Sequence, residues 1–193
     1  MNEVLKSFLI NFSMNDGLSP DRESIKRKLS NMNGMYADHQ AYELLVKKDP
    51  LIYEFYDCEV PNTESSIAFG TSITYPGKVG NEYFMTKGHF HNIIDTAEVY
   101  YCLRGCGYIM METIRGKWET QKISAGTAVY VPGKYAHRSI NTSDLEPLVT
   151  FFAFRGDAGH DYGKIETKGF RKLIVEKDGQ PEIIDNPNWG DGL

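Results

Sequence analysis

Three histidines and one glutamate carry the chemistry open to this chain. His89 and His91 stand two residues apart in the run "GHFHNIIDTAEVYYCLRG", Glu98 follows in the same run, and His137 arrives from "GTAVYVPGKYAHRSIN". On an extended strand alternate residues share a face, so His89 and His91 project together while Phe90 points away. Glu98 opens the next strand after a short connection through Asp95 and Thr96. Three imidazoles and a carboxylate suit one first-row divalent ion such as Fe, Mn, Zn, Co or Ni. In a six-coordinate site two positions stay open for water or substrate, which is a catalytic arrangement rather than a closed structural one. Tyr100, two residues past Glu98, belongs on the same inward face.

Short strands must hold these side chains. From Leu51 onward the chain reads as strands bounded by Gly, Pro, Asn, Asp or Ser: "LIYEFYDCEV", "SIAFGTSITYPG", "EVYYCLRGCGYIMMET", "KWETQKIS", "GTAVYVPG", "HRSINTS" and "PLVTFFAF". "GFRKLIVEKDGQPEIID" closes as a hairpin turning at Asp178-Gly179. Many short, evenly spaced strands predict an all-β barrel or sandwich. Two short helices are expected ahead of it, the first capped by Ser19 with Pro20 behind it, the second capped by Asp38 and stopped before Pro50. The expected organisation is a helical extension over residues 1–50 and a barrel over 51–193, forming one domain.

A chain of 193 residues can bury a real core. Its net charge of -5 and lack of a basic block give nucleic-acid binding no electrostatic support. Cys58, Cys102 and Cys106 are an odd, sparse set, a poor disulfide framework that suits a reducing compartment. The N-terminal "MNEVLKSFLINFSMNDG" lacks the form of a signal peptide, and "LVTFFAF" is far too short to cross a bilayer. A soluble, cytoplasmic protein is expected.

The motifs resemble those of the cupin superfamily. "G-H-x-H" followed by Glu98 and Gly105 looks like the first cupin motif, and Gly126 to Pro132, then His137 and Asn141, like the second, with Gly133-Lys134 where proline-x-glycine is usual. A narrower resemblance covers most of the chain: "DPLIYEFYDCE", "YPGKVGNEYFMTKGHFH", "AEVYYCLRGCG", "GTAVYVPGKYAHR", "DAGHDYG", "KGF" and "DNPNW" are similar to the cupin-type glucose-6-phosphate isomerases. That resemblance implies a cupin β-barrel and a homodimer, acting as a metal-dependent aldose–ketose isomerase on glucose 6-phosphate and fructose 6-phosphate. The ion implied is Fe2+, with Mn2+, Zn2+ or Ni2+ also serving. By resemblance Tyr53, Ser72, Thr86 and Gly88 bind the phosphate, and His160 and Tyr162 reach the sugar, His160 serving ring opening or proton transfer between O1 and O2. Phe154 stands where a related sequence carries tyrosine.

Isomerisation moves hydrogen between C1 and C2. A base can remove the C2 proton to give a cis-enediol, or hydride can pass directly between polarised carbons, and a cation near O1 and O2 helps both routes. Glu98 is the candidate base. Donors for a phosphate stand in "MTKGHFH" (Thr86, the Gly88 amide), "FGTSITY" (Thr71, Ser72) and "LIYEFY" (Tyr53), with Lys87 as a charge partner if it points inward. Two other functions fit the same metal set. A cupin oxygenase would not need the "TKG" segment, and a non-catalytic sugar-binding cupin would not need intact ligands.

Overall fold

The computed structural model describes residues 6–58 and 60–189. The outermost parts of the expected extension and barrel, and Glu59 within "LIYEFYDCEV", lie outside the described residues. The strands run β1 Ile25–Lys28, β2 Leu51–Cys58, β3 Ile67–Thr74, β4 Lys78–Val79, β5 Glu82–Tyr83, β6 Glu98–Arg104, β7 Cys106–Thr113, β8 Trp118–Ser124, β9 Ala128–Val131, β10 Tyr135–Asn141, β11 Leu148–Arg155, β12 Lys172–Lys177 and β13 Gln180–Asp185. They form a six-stranded sheet in the order β1-β2-β3-β11-β6-β9, a three-stranded sheet β10-β7-β8 and a four-stranded sheet β13-β12-β5-β4. Every strand pairing described is antiparallel. The chain is the expected all-β cupin barrel.

Alternation along the strands divides the interior. Glu98, Tyr100 and Cys102 of β6 are buried while Val99 and Tyr101 between them are exposed. One core lies between the six- and three-stranded sheets, where Ala68, Cys102, Ile109, Met111, Ile123, Val129, Leu148 and Phe152 meet. A second packs the four-stranded sheet and the N-terminal elements against the other face of the three-stranded sheet, through Leu29, Met32, Tyr42, Val79, Phe84, Met110, Ile140, Phe170 and Ile174. The tail before β1 covers the outside of the large sheet. Thr71 donates to the Gly17 carbonyl at 2.7 Å, and Phe12 meets Tyr56 edge-on.

The hairpin predicted at Asp178-Gly179 forms, with both residues at positive φ as its tight turn requires. The second predicted helix is α1, His39–Leu45, capped where Asp38 accepts from the Ala41 amide at 2.9 Å. The first is not a helix. Ile25–Lys28 pairs along β2 as a strand, and Leu29–Met32 is a single 3-10 turn. The edge of β2 offers a row of backbone partners, and satisfying it outweighs the weak helical preference of "ESIKRK". A second α-helix, α2 at Gly163–Lys168, follows the "DAGHDYG" run and was not expected.

Glu82 in β5 gives the second core a pH dependence. It is 3% exposed, and one carboxylate oxygen accepts from the Ala37 amide at 3.0 Å while the other has no partner. Burial pushes its pKa from 4.5 up to about 7, against the pull of the Ala37 amide and the Arg138 charge. A carboxyl raised in the folded state stabilises the fold in full below 4.5, and that contribution is lost as pH climbs through about 7. The loss is worth about 3 kcal/mol by linkage. Urea denaturation across this range should therefore show wild-type stability falling toward alkaline pH, with a flatter profile for Glu82→Gln. Parallel profiles would refute the assignment.

Candidate metal centre

The histidine pair sits in an extended segment between β5 and β6, not in a regular strand. That segment is pinned to β10 by two backbone bonds, His89 N–H to the His137 carbonyl at 3.3 Å and His137 N–H to the His89 carbonyl at 3.1 Å. This bridge brings His137 beside the pair across a gap that sequence spacing alone does not close. Phe90 between the histidines points into the second core, as alternation requires. Glu98 enters from the first position of β6.

The donor atoms of His89, His91, Glu98 and His137 all lie within 4.8 Å of one another. Glu98 Oε2 stands 3.1 Å from His91 Nε2 and 3.0 Å from His137 Nε2. The far nitrogens are held by carbonyls, His91 Nδ1 donating to Thr96 at 3.0 Å and His137 Nδ1 to Tyr135 at 3.4 Å. A carbonyl can only accept, so each Nδ1 donates there, and each Nε2 is left facing Glu98 Oε2, where it would serve as the ligand atom to a bound cation. His89 Nε2 is buried and has no hydrogen-bond partner. An orphaned imidazole nitrogen beside two further imidazole nitrogens and a carboxylate could hold a cation, and this donor set fits a first-row divalent ion.

The electrostatics point the same way. Burial alone would raise the Glu98 carboxyl, but His137, His91 and His89 reverse that and hold it well below the usual carboxylate range. Burial, with the neighbouring His137 and His160, depresses His89 strongly, so it stays a neutral ligand. Burial, then the Glu98 charge, pushes the Tyr100 phenol far up, so it stays protonated beside the acid.

His89, Glu98 and His137 of the cluster line a cavity. Tyr53, Ser72, Thr86, Gly88, Tyr100, His160 and Tyr162 all line it, so every residue expected at the site except His91, Thr71 and Lys87 touches the same space. His91 lies behind, its ring 5.4 Å from that of Phe154. His160 packs 4.3 Å from the His89 ring and stacks on Tyr162 at 5.9 Å, and burial lowers its pKa. Donors for an anion line the same cavity. The Ser139 amide donates to Thr86 Oγ1 at 3.0 Å, which occupies that oxygen and leaves its proton for the cavity. Gly88 has φ +78°, and an added Cβ would fall 2.8 Å from Phe170 and 3.0 Å from the His137 carbonyl, so only glycine fits there.

Two of the candidate donors lie outside the cavity. Thr71 faces outward to Gly17, since β3 turns Ser72 rather than Thr71 inward. Lys87 leaves the cavity to pair with Glu166 of α2 at 2.6 Å. Four lining residues lay unnoticed in the sequence: Phe55, Asp57, Ser139 and Phe152. Stepping by two from Tyr53, His137 and Phe154 would have found all of them.

Fold and donor set together define a cupin whose pocket is lined by a three-histidine, one-carboxylate cluster that could hold a cation. The glucose-6-phosphate isomerase family model matches residues 26–189, and the chain belongs to that family. Its relatives include the glucose-6-phosphate isomerases of Thermococcus gammatolerans, 43% identical over 97% of this chain and 98% of that one, and of Pyrococcus abyssi, 44% identical over 93% and 95%. The glucose-6-phosphate isomerase of Sinorhizobium medicae is 33% identical over 85% of this chain and 78% of its own. Among solved structures, an oxalate oxidase in complex with glycolate is similar over 59% of this chain, with a TM-score of 0.49 and 11% identity.

Proposed function

We propose that this protein is a metal-dependent isomerase interconverting glucose 6-phosphate and fructose 6-phosphate, a step shared by glycolysis and gluconeogenesis. The observation that carries the reading is one cavity lined both by the His/Glu cluster and by hydroxyl and amide donors, in a chain of this family. His89, His91, Glu98 and His137 would hold one divalent ion, with Fe2+ favoured and Mn2+, Zn2+ or Ni2+ able to serve. When bound, the ion supplies a positive charge that favours the electron-rich O1 and O2 of the rearranging sugar.

The chain's own residues do the rest. Tyr53, Ser72, Thr86 and the Gly88 amide bind the phosphate and so fix the distance at which C1 and C2 meet Glu98. Glu98 is held ionised and can take a proton from carbon. A direct hydride shift would leave it as ligand only. Tyr100 stays a phenol and can donate to a sugar oxygen, while His160 and Tyr162, stacked beside His89, reach the sugar, His160 serving ring opening or proton transfer between O1 and O2. Phe154, 6% exposed between His91 and His160, presents an apolar face that keeps water from the carbons.

The exposed outer face of β6 and β9, with Val99, Tyr101 and Tyr130, suits the apolar contact of a homodimer. Among the described residues no helix is long and apolar enough to cross a membrane, which fits the cytoplasmic setting proposed for a glycolytic enzyme. A coupled assay tests the function. Fructose 6-phosphate should yield glucose 6-phosphate, activity should vanish on chelation, and it should return with one of the four ions. Metal-loaded protein that turns over no hexose phosphate would refute the reading and favour an oxygenase or a sugar-binding cupin.

A further inference from the structure

Phosphate binding in this cavity has a charge problem. A sugar phosphate is close to a dianion at neutral pH. The lining holds no lysine or arginine, and its charged members besides the histidines are the acids Asp57 and Glu98. Lys87 is turned away to Glu166. Arg138 is buried behind Gly88, donating to the Lys87 carbonyl at 3.1 Å and stacked 4.0 Å from the Phe170 ring centre. Hydroxyls and one amide hold an anion less well than a guanidinium does.

Among the described residues, one cation stands beside two residues of the lining. Arg27 of β1 is paired directly with Tyr53 of β2, so the two side chains share a face. Its guanidinium carbon lies 5.9 Å from the Phe55 ring centre, and both Tyr53 and Phe55 line the cavity. Burial pushes the Tyr53 phenol up to about 12, and the Arg27 charge works against that push. Arg27 is half-buried, its guanidinium donates to the Lys26 carbonyl at 3.3 Å, and it forms no ion pair among the described residues.

We propose that Arg27 binds the phosphate group of the substrate and is the residue that selects phosphorylated over unphosphorylated sugars. The proposal rests on the isomerase reading for the identity of the sugar, but not for the anion. A planar fork of donors on an edge strand can turn from the Phe55 face onto two phosphate oxygens, as a lysine at that place could not.

The test compares the metal-loaded wild type with Arg27→Gln, Arg27→Lys and, as a control, Lys26→Gln, whose side chain leaves the opposite face of β1. Calorimetry would follow 1,5-anhydroglucitol 6-phosphate, which has no carbonyl to isomerise, and its unphosphorylated parent. Arg27→Gln should weaken binding of the phosphate ester roughly 10- to 100-fold, the range for losing a hydrogen bond between charged groups. KM for fructose 6-phosphate should rise in parallel while kcat moves little, Arg27→Lys should recover part of the loss, and Lys26→Gln should bind as wild type. Binding of the unphosphorylated sugar should be equal in all four. Unchanged affinity in Arg27→Gln, an equal loss in Lys26→Gln, or a wild type that binds no phosphate ester would overturn the proposal. A wild type that binds the ester through Arg27 but does not isomerise fructose 6-phosphate would sink the isomerase reading and leave this one standing.

Discussion

Replacing Glu98 by glutamine is expected to lower kcat by roughly 100- to 10,000-fold, the range for removing a positioned general base. Glutamine keeps the size and an oxygen ligand but loses the charge that the three histidines hold in place. Because Glu98 is 2% exposed and touches His91 and His137, the variant must be read with its metal content. Metal retained with kcat lost assigns Glu98 to proton transfer. Metal and kcat lost together reduce it to a ligand. Reaction in deuterium oxide adds an independent readout, since deuterium at C2 of glucose 6-phosphate requires a base, whereas a direct hydride shift leaves none there. A Glu98→Gln enzyme with full activity would remove the residue from the site.

The second large effect concerns His89. Its Nε2 has no partner within the protein, so His89→Ala takes no hydrogen bond from the metal-free fold. The backbone bridge to His137 survives, because it uses main-chain atoms. The variant should therefore fold, melt near the chelated wild type, and bind less than a tenth of an equivalent of metal, with activity reduced at least a hundredfold, as ligand and base act on one centre. In the wild type, an ion at about a hundred times its Kd should add about 3 kcal/mol of stability. In His89→Ala the same ion should add almost none. An equal metal-induced rise in melting temperature for both proteins would show that the ion sits elsewhere.

How much of this was legible beforehand follows from which physical signals are local. Alternation was enough to send Glu98 and Tyr100 inward together, and positive-φ preference fixed the Asp178-Gly179 turn. Metal-ligand chemistry grouped His89, His91, Glu98 and His137, although nothing in the spacing reveals the backbone bridge that joins His89 to His137. The failures share a cause. Thr71 and Ser72 are adjacent, and which of them faces inward depends on the register of β3 against β2 and β11, a long-range property. The stretch around Arg27 reads as a helix by local preference and becomes a strand only because β2 has an edge to cover. Arg27 was missed for that reason, since its cross-strand neighbour Tyr53 is far away in sequence.

The bridge and the shared Glu98 also bear on how the barrel stays shut. Glu98 belongs to the six-stranded sheet and His137 to the three-stranded sheet, separated by 39 residues. An ion gripped by both would staple one wall to the other and close a loop whose ends the unfolded chain must otherwise bring together, an entropic cost that grows with the logarithm of loop length. Disulfides do this work in oxidising surroundings, but the three cysteines here are free thiols. A metal clasp needs no oxidant, so the centre that would turn over sugar would also be the cross-link that keeps its own cavity walls at a fixed separation.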